Sequence, residues 1–173
     1  GLIAGCMAIT FTTAAVKISA TLSLLVLVGS LVGFVSWNWS PAKVFMGDVG
    51  STFLGAMFAG VVLQTGNWTD ALGLLSVATP MLGDACLCVP RRLLAGQRVF
   101  QPHRLHLFQR LHQANWSHSS VSSLYIITTF CLAFAFLAGN WIWAISMAIA
   151  VIMFGIWLDQ HVAVPFCKAS QSL

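Results

Sequence analysis

An all-α membrane protein, with helices crossing the bilayer several times, is the fold class this sequence predicts, and three observations predict it. Hydrophobic residues make up 58% of the 173 and charged residues only 7%, where a soluble domain carries roughly 25% charged. The apolar residues come in continuous runs, several of which approach the roughly 20 needed to cross a bilayer. Lipid offers no partner to a backbone N–H or C=O, so each span must satisfy its own, and continuous rather than alternating runs select helices over a barrel.

Six apolar segments can be marked, at about 2–16, 19–36, 52–66, 71–89, 121–138 and 141–158. The first is short and reads as a truncated span; the third is marginal. The chain opens Gly1-Leu2-Ile3-Ala4-Gly5, without a Met, a basic n-region or a cleavage site. It therefore lacks the marks of a signal peptide and reads as starting in mid-protein. Two long polar loops, 37–51 and 90–120, alternate with the minimal turns 67–70 and 139–140. The long loops therefore share one side, and Arg91, Arg92, Arg98, Arg104 and Arg110 place that side in the cytoplasm by the positive-inside rule. Lys17, in the first outer turn, is the exception.

The remaining residue classes fit a bilayer. The +4 formal charge gathers in one loop, which points to topology and not to nucleic acid. Trp37, Trp39, Trp68, Trp141 and Trp143 stand at predicted helix ends, suited to the headgroup layer. Gly29 and Gly33 form a G-x-x-x-G, read as a helix-packing face. The five cysteines, Cys6, Cys86, Cys88, Cys131 and Cys167, lack zinc or disulfide spacing and read as small packing residues.

Chemistry concentrates in three places. In loop 37–51, Pro41 ends the preceding helix, Gly47 and Gly50 free the backbone, and Asp48 precedes a helix expected from about Ser51. Asp48 suits an N-cap or a Mg²⁺ site, since that ion takes one or two carboxylates together with substrate phosphates. In loop 90–120, PHRLHLFQR sets His103, Arg104, His106 and Arg110 within nine residues, the natural clamps of a diphosphate. If residues 103–112 are helical, His103, His106 and Arg110 share a face. Zinc is the weaker reading, because no Glu or Cys lies at ligand spacing and the arginines repel a cation. Asp84, near the end of the fourth span, is an ionisable group at membrane depth, expected to pair with Arg91 or Arg92.

The strings PAKVFMGDVGSTFLG, Pro80-x-x-x-Asp84 followed by Arg91-Arg92, and HRLHLFQRL followed by WSH resemble the polytopic polyprenyl-phosphate N-acetylhexosamine-1-phosphate transferases. Within that family the chain looks most like the branch that primes O-antigen and related surface polysaccharides, and like the C-terminal half of such an enzyme. The family's upstream acidic motifs are absent from it. The resemblance implies transfer of a sugar 1-phosphate from a UDP-N-acetylhexosamine to undecaprenyl phosphate, with release of UMP, at the bacterial inner membrane.

It also implies Mg²⁺, with Mn²⁺ as the alternative ion, held by Asp48. His106 and Arg104 match the first His and the Arg of the family's cytoplasmic histidine motif. Asp48 and His106 are thus expected to be catalytic, and His103, Arg104, Arg110 and Lys43 to bind substrate. Asp48, Arg104 and His106 are expected to converge on one cytoplasmic cavity. Phe108 and Gln109 stand where further histidines are usual, and Asn115 where Gly is usual, a mild departure because Asn tolerates the left-handed conformation. The expected organisation is a single transmembrane transferase domain over 1–173, inactive alone, with room for a homodimer. A membrane transporter and a non-catalytic membrane scaffold are the rival readings.

Overall fold

The computed structural model describes residues 1–18, 22–97, 101 and 103–171. Arg98 and the first residues of the second apolar segment lie outside the described residues. The elements are α1 (Leu2–Lys17), α2 (Leu22–Asn38), α3 (Gly47–Leu63), α4 (Trp68–Val77), α5 (Thr79–Leu94), α6 (Leu107–Gln113), α7 (His118–Ala138), α8 (Trp141–His161) and α9 (Phe166–Gln171). No strand occurs among the described residues. The chain is a polytopic helical membrane protein, all-α as the apolar runs predict.

The six apolar segments correspond to α1, α2, α3, the α4–α5 pair, α7 and α8. By length and composition α7 and α8, 21 residues each with mean hydropathy 2.0 and 2.1, can cross a bilayer alone. The α4–α5 pair makes a third span if taken together, while α1 to α3 are apolar but shorter. The α4–α5 pair bends by 76°. Pro80 accounts for the break, since it has no N–H to donate and its ring meets the carbonyl four residues back. Few residues of α7 and α8 are buried inside the chain; Phe130, Phe134, Ile149 and Met153 point outward, as lipid-facing side chains do.

The core gathers around α1. Phe11 and Ala14 pack with Leu74 and Val77 of α4, Leu132 and Phe136 of α7, and Ala144 of α8. Gly73 is required there: a Cβ would lie 2.1 Å from the Phe136 ring. Lys17, the residue that disturbed the charge pattern, ends α1 with its Nζ 4.6 Å from the centre of that same ring.

Two expectations about helix faces are corrected. Gly29 and Gly33 face away from the rest of the chain, with nothing within 4 Å of a Cβ at either, because α2 packs through Leu24 and Leu31 instead. Cysteines also divide: Cys6 and Cys88 are buried, but Cys86, Cys131 and Cys167 are exposed.

The two long loops do share an end of the bundle. Trp39, just past α2, lines a small groove with Ser123 and Ile126 from the start of α7. Leu2 and Cys6, at the start of α1, pack with Leu107 and Leu111 of α6. The segment entering α3 and the segment around α6 are thereby neighbours of the same α1 end.

Candidate active site

The site is assembled at that end from α5, the 103–106 segment, α6 and the last turn of α8. α6 is short, and Asp84 of α5 supplies what its first turn lacks. The first N–H groups of a helix have no partner within it; Leu107 N–H donates to Asp84 Oδ1 at 2.8 Å and Phe108 N–H to Oδ2 at 3.5 Å. Tyr125 of α7 donates its hydroxyl to Asp84 Oδ2 at 3.1 Å. His106, the N-cap of α6, brings Nδ1 to 3.5 Å from Asp84 Oδ1. The Asp84 side chain is only 7% exposed, so a buried carboxylate is satisfied on every side, as burial of a charge requires.

This corrects the partner expected for Asp84. Arg91 turns instead to Asp159, near the end of α8, with Nη1 2.5 Å from Oδ2. Arg110 of α6 pairs with the other oxygen of Asp159, donates from Nε to Leu105 O at 3.1 Å and from Nη1 to Val164 O at 2.9 Å, and lies over the Phe166 ring. At 3% exposure, Arg110 spends its donors inside the protein. It stitches α6 to the C-terminal end of α8 and to α9. Asp159 is the residue that sequence reasoning missed, although the topology held a clue. An acidic residue near the end of α8 returns to the side on which α7 began, the side of the arginines.

The histidines do not share a helix face, because α6 begins only at Leu107. His103 and His106 instead meet across the turn before it, their ring centres 4.9 Å apart. Burial, then the Arg92 charge and then His106, holds the His103 imidazole below its usual pKa, so it favours the neutral form. His106 also stacks on Phe108 at 5.5 Å, and its N–H donates to Gln109 Oε1 at 3.2 Å. Phe108 and Gln109 thus hold the His106 ring and the helix entry where further histidines were expected. Asn115 adopts φ +66°, the left-handed conformation anticipated for it. Arg104 is exposed, tied down through its carbonyl, which accepts from Gln113 Nε2 at 3.1 Å.

The first loop is built differently. α3 begins at Gly47, not near Ser51, so Asp48 stands within the first turn and Met46 is the N-cap. An N-cap role for Asp48 is thereby replaced by a first-turn carboxylate, favoured there by the helix dipole. Gly47 enters the helix at φ +69°, while Gly50 is needed for space, since a Cβ would lie 2.6 Å from Met46 Cγ. Asp48 and Lys43 are both exposed, and Lys43 Nζ lies 5.3 Å from the Trp37 ring centre. Among the described residues the Asp48 carboxylate makes no hydrogen bond or ion pair. Among the described residues no hydrogen bond or ion pair joins it to Arg104 or His106.

A groove runs between α5, α7 and α8. Asp84, Arg91, Tyr125, Arg110 and Asp159 stand in its wall with apolar Leu87, Val151, Ile152, Phe154 and Leu158. It joins a charged patch to a lipid-like surface.

Comparison with known proteins gives this arrangement a family. Residues 1–66, which include the Asp48 motif, match the model of Glycosyl transferase family 4. Over that stretch the chain is similar to glycosyl transferase family 4. It is 38% identical over 125 residues to the decaprenyl-phosphate N-acetylglucosaminephosphotransferase of Mycobacterium leprae, covering 63% of this chain and 31% of that protein. It is 34% identical over 140 residues to a probable undecaprenyl-phosphate N-acetylglucosaminyl 1-phosphate transferase of Bacillus subtilis, covering 73% and 38%. A phospho-N-acetylmuramoyl-pentapeptide-transferase of Carboxydothermus hydrogenoformans is 37% identical over 107 residues, covering 61% and 32%. No solved structure matches the chain significantly.

The aligned part spans about a third of the length of these relatives. The Bacillus match covers so much of the chain that it must take in both Asp48 and His106. Identity to the N-acetylglucosamine and the muramoyl-pentapeptide enzymes is nearly equal, so it does not separate the two branches.

Proposed function

We propose that this chain is part of a transferase that moves a sugar 1-phosphate from a UDP-N-acetylhexosamine to undecaprenyl phosphate, releasing UMP and priming cell-surface polysaccharide synthesis. The observation that carries this reading is the coincidence of both motifs, on neighbouring segments at one end of the bundle, with relatives named for such transfers. In the reaction an oxygen of the lipid phosphate bonds to the sugar-linked phosphorus, and the bond from that phosphorus to the UMP oxygen breaks. Little covalent chemistry is left to the protein, so positioning and charge stabilisation dominate.

The residues divide that work. His106, set beside the buried Asp84 carboxylate, is oriented to offer a ring N–H to a developing phosphate charge. Arg104, His103 and Lys43 supply further donors; Arg110 acts by holding α6. The groove of Leu87, Ile152 and Phe154, with Arg91 in its wall, suits a chain that is apolar along its length and anionic at its head. The site faces the cytoplasm of a bacterial inner membrane, from the arginine bias of the 90–120 loop.

Of the four acidic residues, Asp84 and Asp159 are committed to internal partners, and Asp70 sits at the start of α4, after the turn that leaves α3. Asp48 alone at the site end has a solvent-facing carboxylate, which fits Mg²⁺ because that ion needs only one or two carboxylates beside phosphate and water. Bound there, Mg²⁺ supplies Lewis-acid polarisation of the diphosphate.

A chimera tests the reading. The matching segment of the Bacillus relative is replaced by this chain, and transfer of radiolabelled N-acetylglucosamine 1-phosphate to undecaprenyl phosphate is measured in membranes. Metal-dependent lipid product with stoichiometric UMP is expected. A chimera that inserts normally yet forms no product would overturn the assignment, and UDP-sugar flux without UMP would favour a transporter. The 173-residue chain alone is expected to form no product.

A further inference from the structure

The fold sets Cys88 against His103 and His106. The sulfur of Cys88 and one ring nitrogen from each histidine lie within 4.8 Å of one another, although 14 residues of sequence separate the cysteine from the nearer histidine. Cys88 projects from α5 one turn beyond Asp84 and is buried against Leu105 and Ala169. Its burial among groups of complementary chemistry distinguishes it from Cys86, Cys131 and Cys167, which are exposed.

We infer that Cys88, His103 and His106 form a binding site for a borderline-soft divalent transition metal, of which Zn²⁺ is the representative. One thiolate and two imidazoles are the donor set that Zn²⁺ and Co²⁺ take and Mg²⁺ refuses, because Mg²⁺ demands oxygen ligands. Three protein ligands leave a fourth tetrahedral position open to water or to an anionic oxygen. With Zn–S near 2.3 Å and Zn–N near 2.0 Å, tetrahedral ligand atoms lie about 3.5 Å apart. The three side chains therefore close by roughly 1 Å on binding, which the half-buried histidines of the 103–106 turn permit.

The surroundings support a cation. Asp84 stands 3.5 Å from His106 Nδ1, the position of the outer carboxylate that orients a metal-bound histidine. Arg91 and Arg110, whose charges would oppose a metal, are paired with the two oxygens of Asp159; the Arg92 charge acts on His103 and is offset by the thiolate when metal binds. On binding, Cys88 passes its thiol proton to solvent and the metal takes the thiolate. If the transferase reading holds, metal held by His106 removes that imidazole from the phosphates, so Zn²⁺ acts as an inhibitor distinct from the activating ion at Asp48.

Titration of the full chain in detergent with Co²⁺ decides the site independently of any transferase assay. One Co²⁺ per chain is expected, with a near-ultraviolet sulfur-to-cobalt charge-transfer band that Zn²⁺ abolishes. Cys88→Ser should lose the band, Cys86→Ser should keep it, and His103→Gln should weaken binding by at least about tenfold, the scale on which even outer-shell changes act. A band that survives Cys88→Ser, or the absence of any band in the unaltered chain, overturns the site. Should Cys88→Ser elute as an aggregate, His103→Gln decides, and unchanged affinity in that variant counts against the proposal.

Discussion

Two carboxylates of the same residue type, Asp48 and Asp84, stand at one end of the bundle and are built in opposite ways. Asp84 is buried, accepts from two backbone N–H groups and a tyrosine hydroxyl, and meets His106. Asp48 is exposed, in the first turn of a helix entered through a left-handed glycine, with no side-chain partner among the described residues. The more specific sequence motif surrounds the less embedded residue. Asp84 spends its charge on shaping the α5–α6 corner, whereas the Asp48 carboxylate is exposed and takes no part in packing among the described residues. The Mg²⁺ role proposed for Asp48 requires such a free carboxylate.

The sharpest way to break this contrast is at the partner that ties the corner to α8. Arg110→Ala leaves Asp159 buried with half its compensation, and loss of one member of a buried pair costs about 3–5 kcal/mol. Arg91→Ala, at a side chain 38% exposed, is expected to cost under about 1 kcal/mol. Thermal unfolding in detergent, followed by tryptophan fluorescence, compares the two, and equal losses would refute the view that Arg110 is the stitch.

Next in size is Asp48→Asn. Unfolding should shift by no more than about 0.5 kcal/mol, as for a surface change, while transfer by the chimera falls about 100-fold or more, the scale of one lost charge-stabilising contact. Near-normal transfer would return Asp48 to a purely structural role.

Asp84→Ala should show the reverse pattern of cause. It strips the Leu107 N–H and the Tyr125 hydroxyl of a charged acceptor, at about 2–3 kcal/mol of stability, and amide exchange at Leu107 should rise with it. If exchange at α6 is unchanged, Asp84 does not hold that helix.

The smallest effect is expected at the turn that ends α6. Asn115 sits at φ +66°, so Asn115→Gly should be neutral or slightly stabilising and Asn115→Ala should cost about 1 kcal/mol. Equal midpoints for the two would remove the conformational reading of that position.

Much of the architecture was legible because lipid constrains it: an apolar run with few charges has to be a helix, and the turns between runs fall where polarity returns. The shared end of the two long loops followed from counting crossings, and Asn115 from the tolerance of one residue type for one conformation. Other features needed contacts between distant segments. The outward face of Gly29 and Gly33 could not be read from α2, because spacing shows that a helix has a smooth face and not where that face points. Zinc-type ligands looked absent because Cys88 is far from the histidines along the chain.

Sequence alone therefore determined the helical membrane class, the loop pairing and the identity of Asp48, His103, Arg104 and His106 as candidate groups, since these depend on local composition and short spacing. Only tertiary structure decided that Asp84 serves α6 and His106, that Asp159 receives both Arg91 and Arg110, and that Cys88 meets two histidines. The physical reason is that charges buried in a low-dielectric interior must find partners. The fold selects them by bringing α5, α6 and the end of α8 into contact, a choice that no local window of sequence contains.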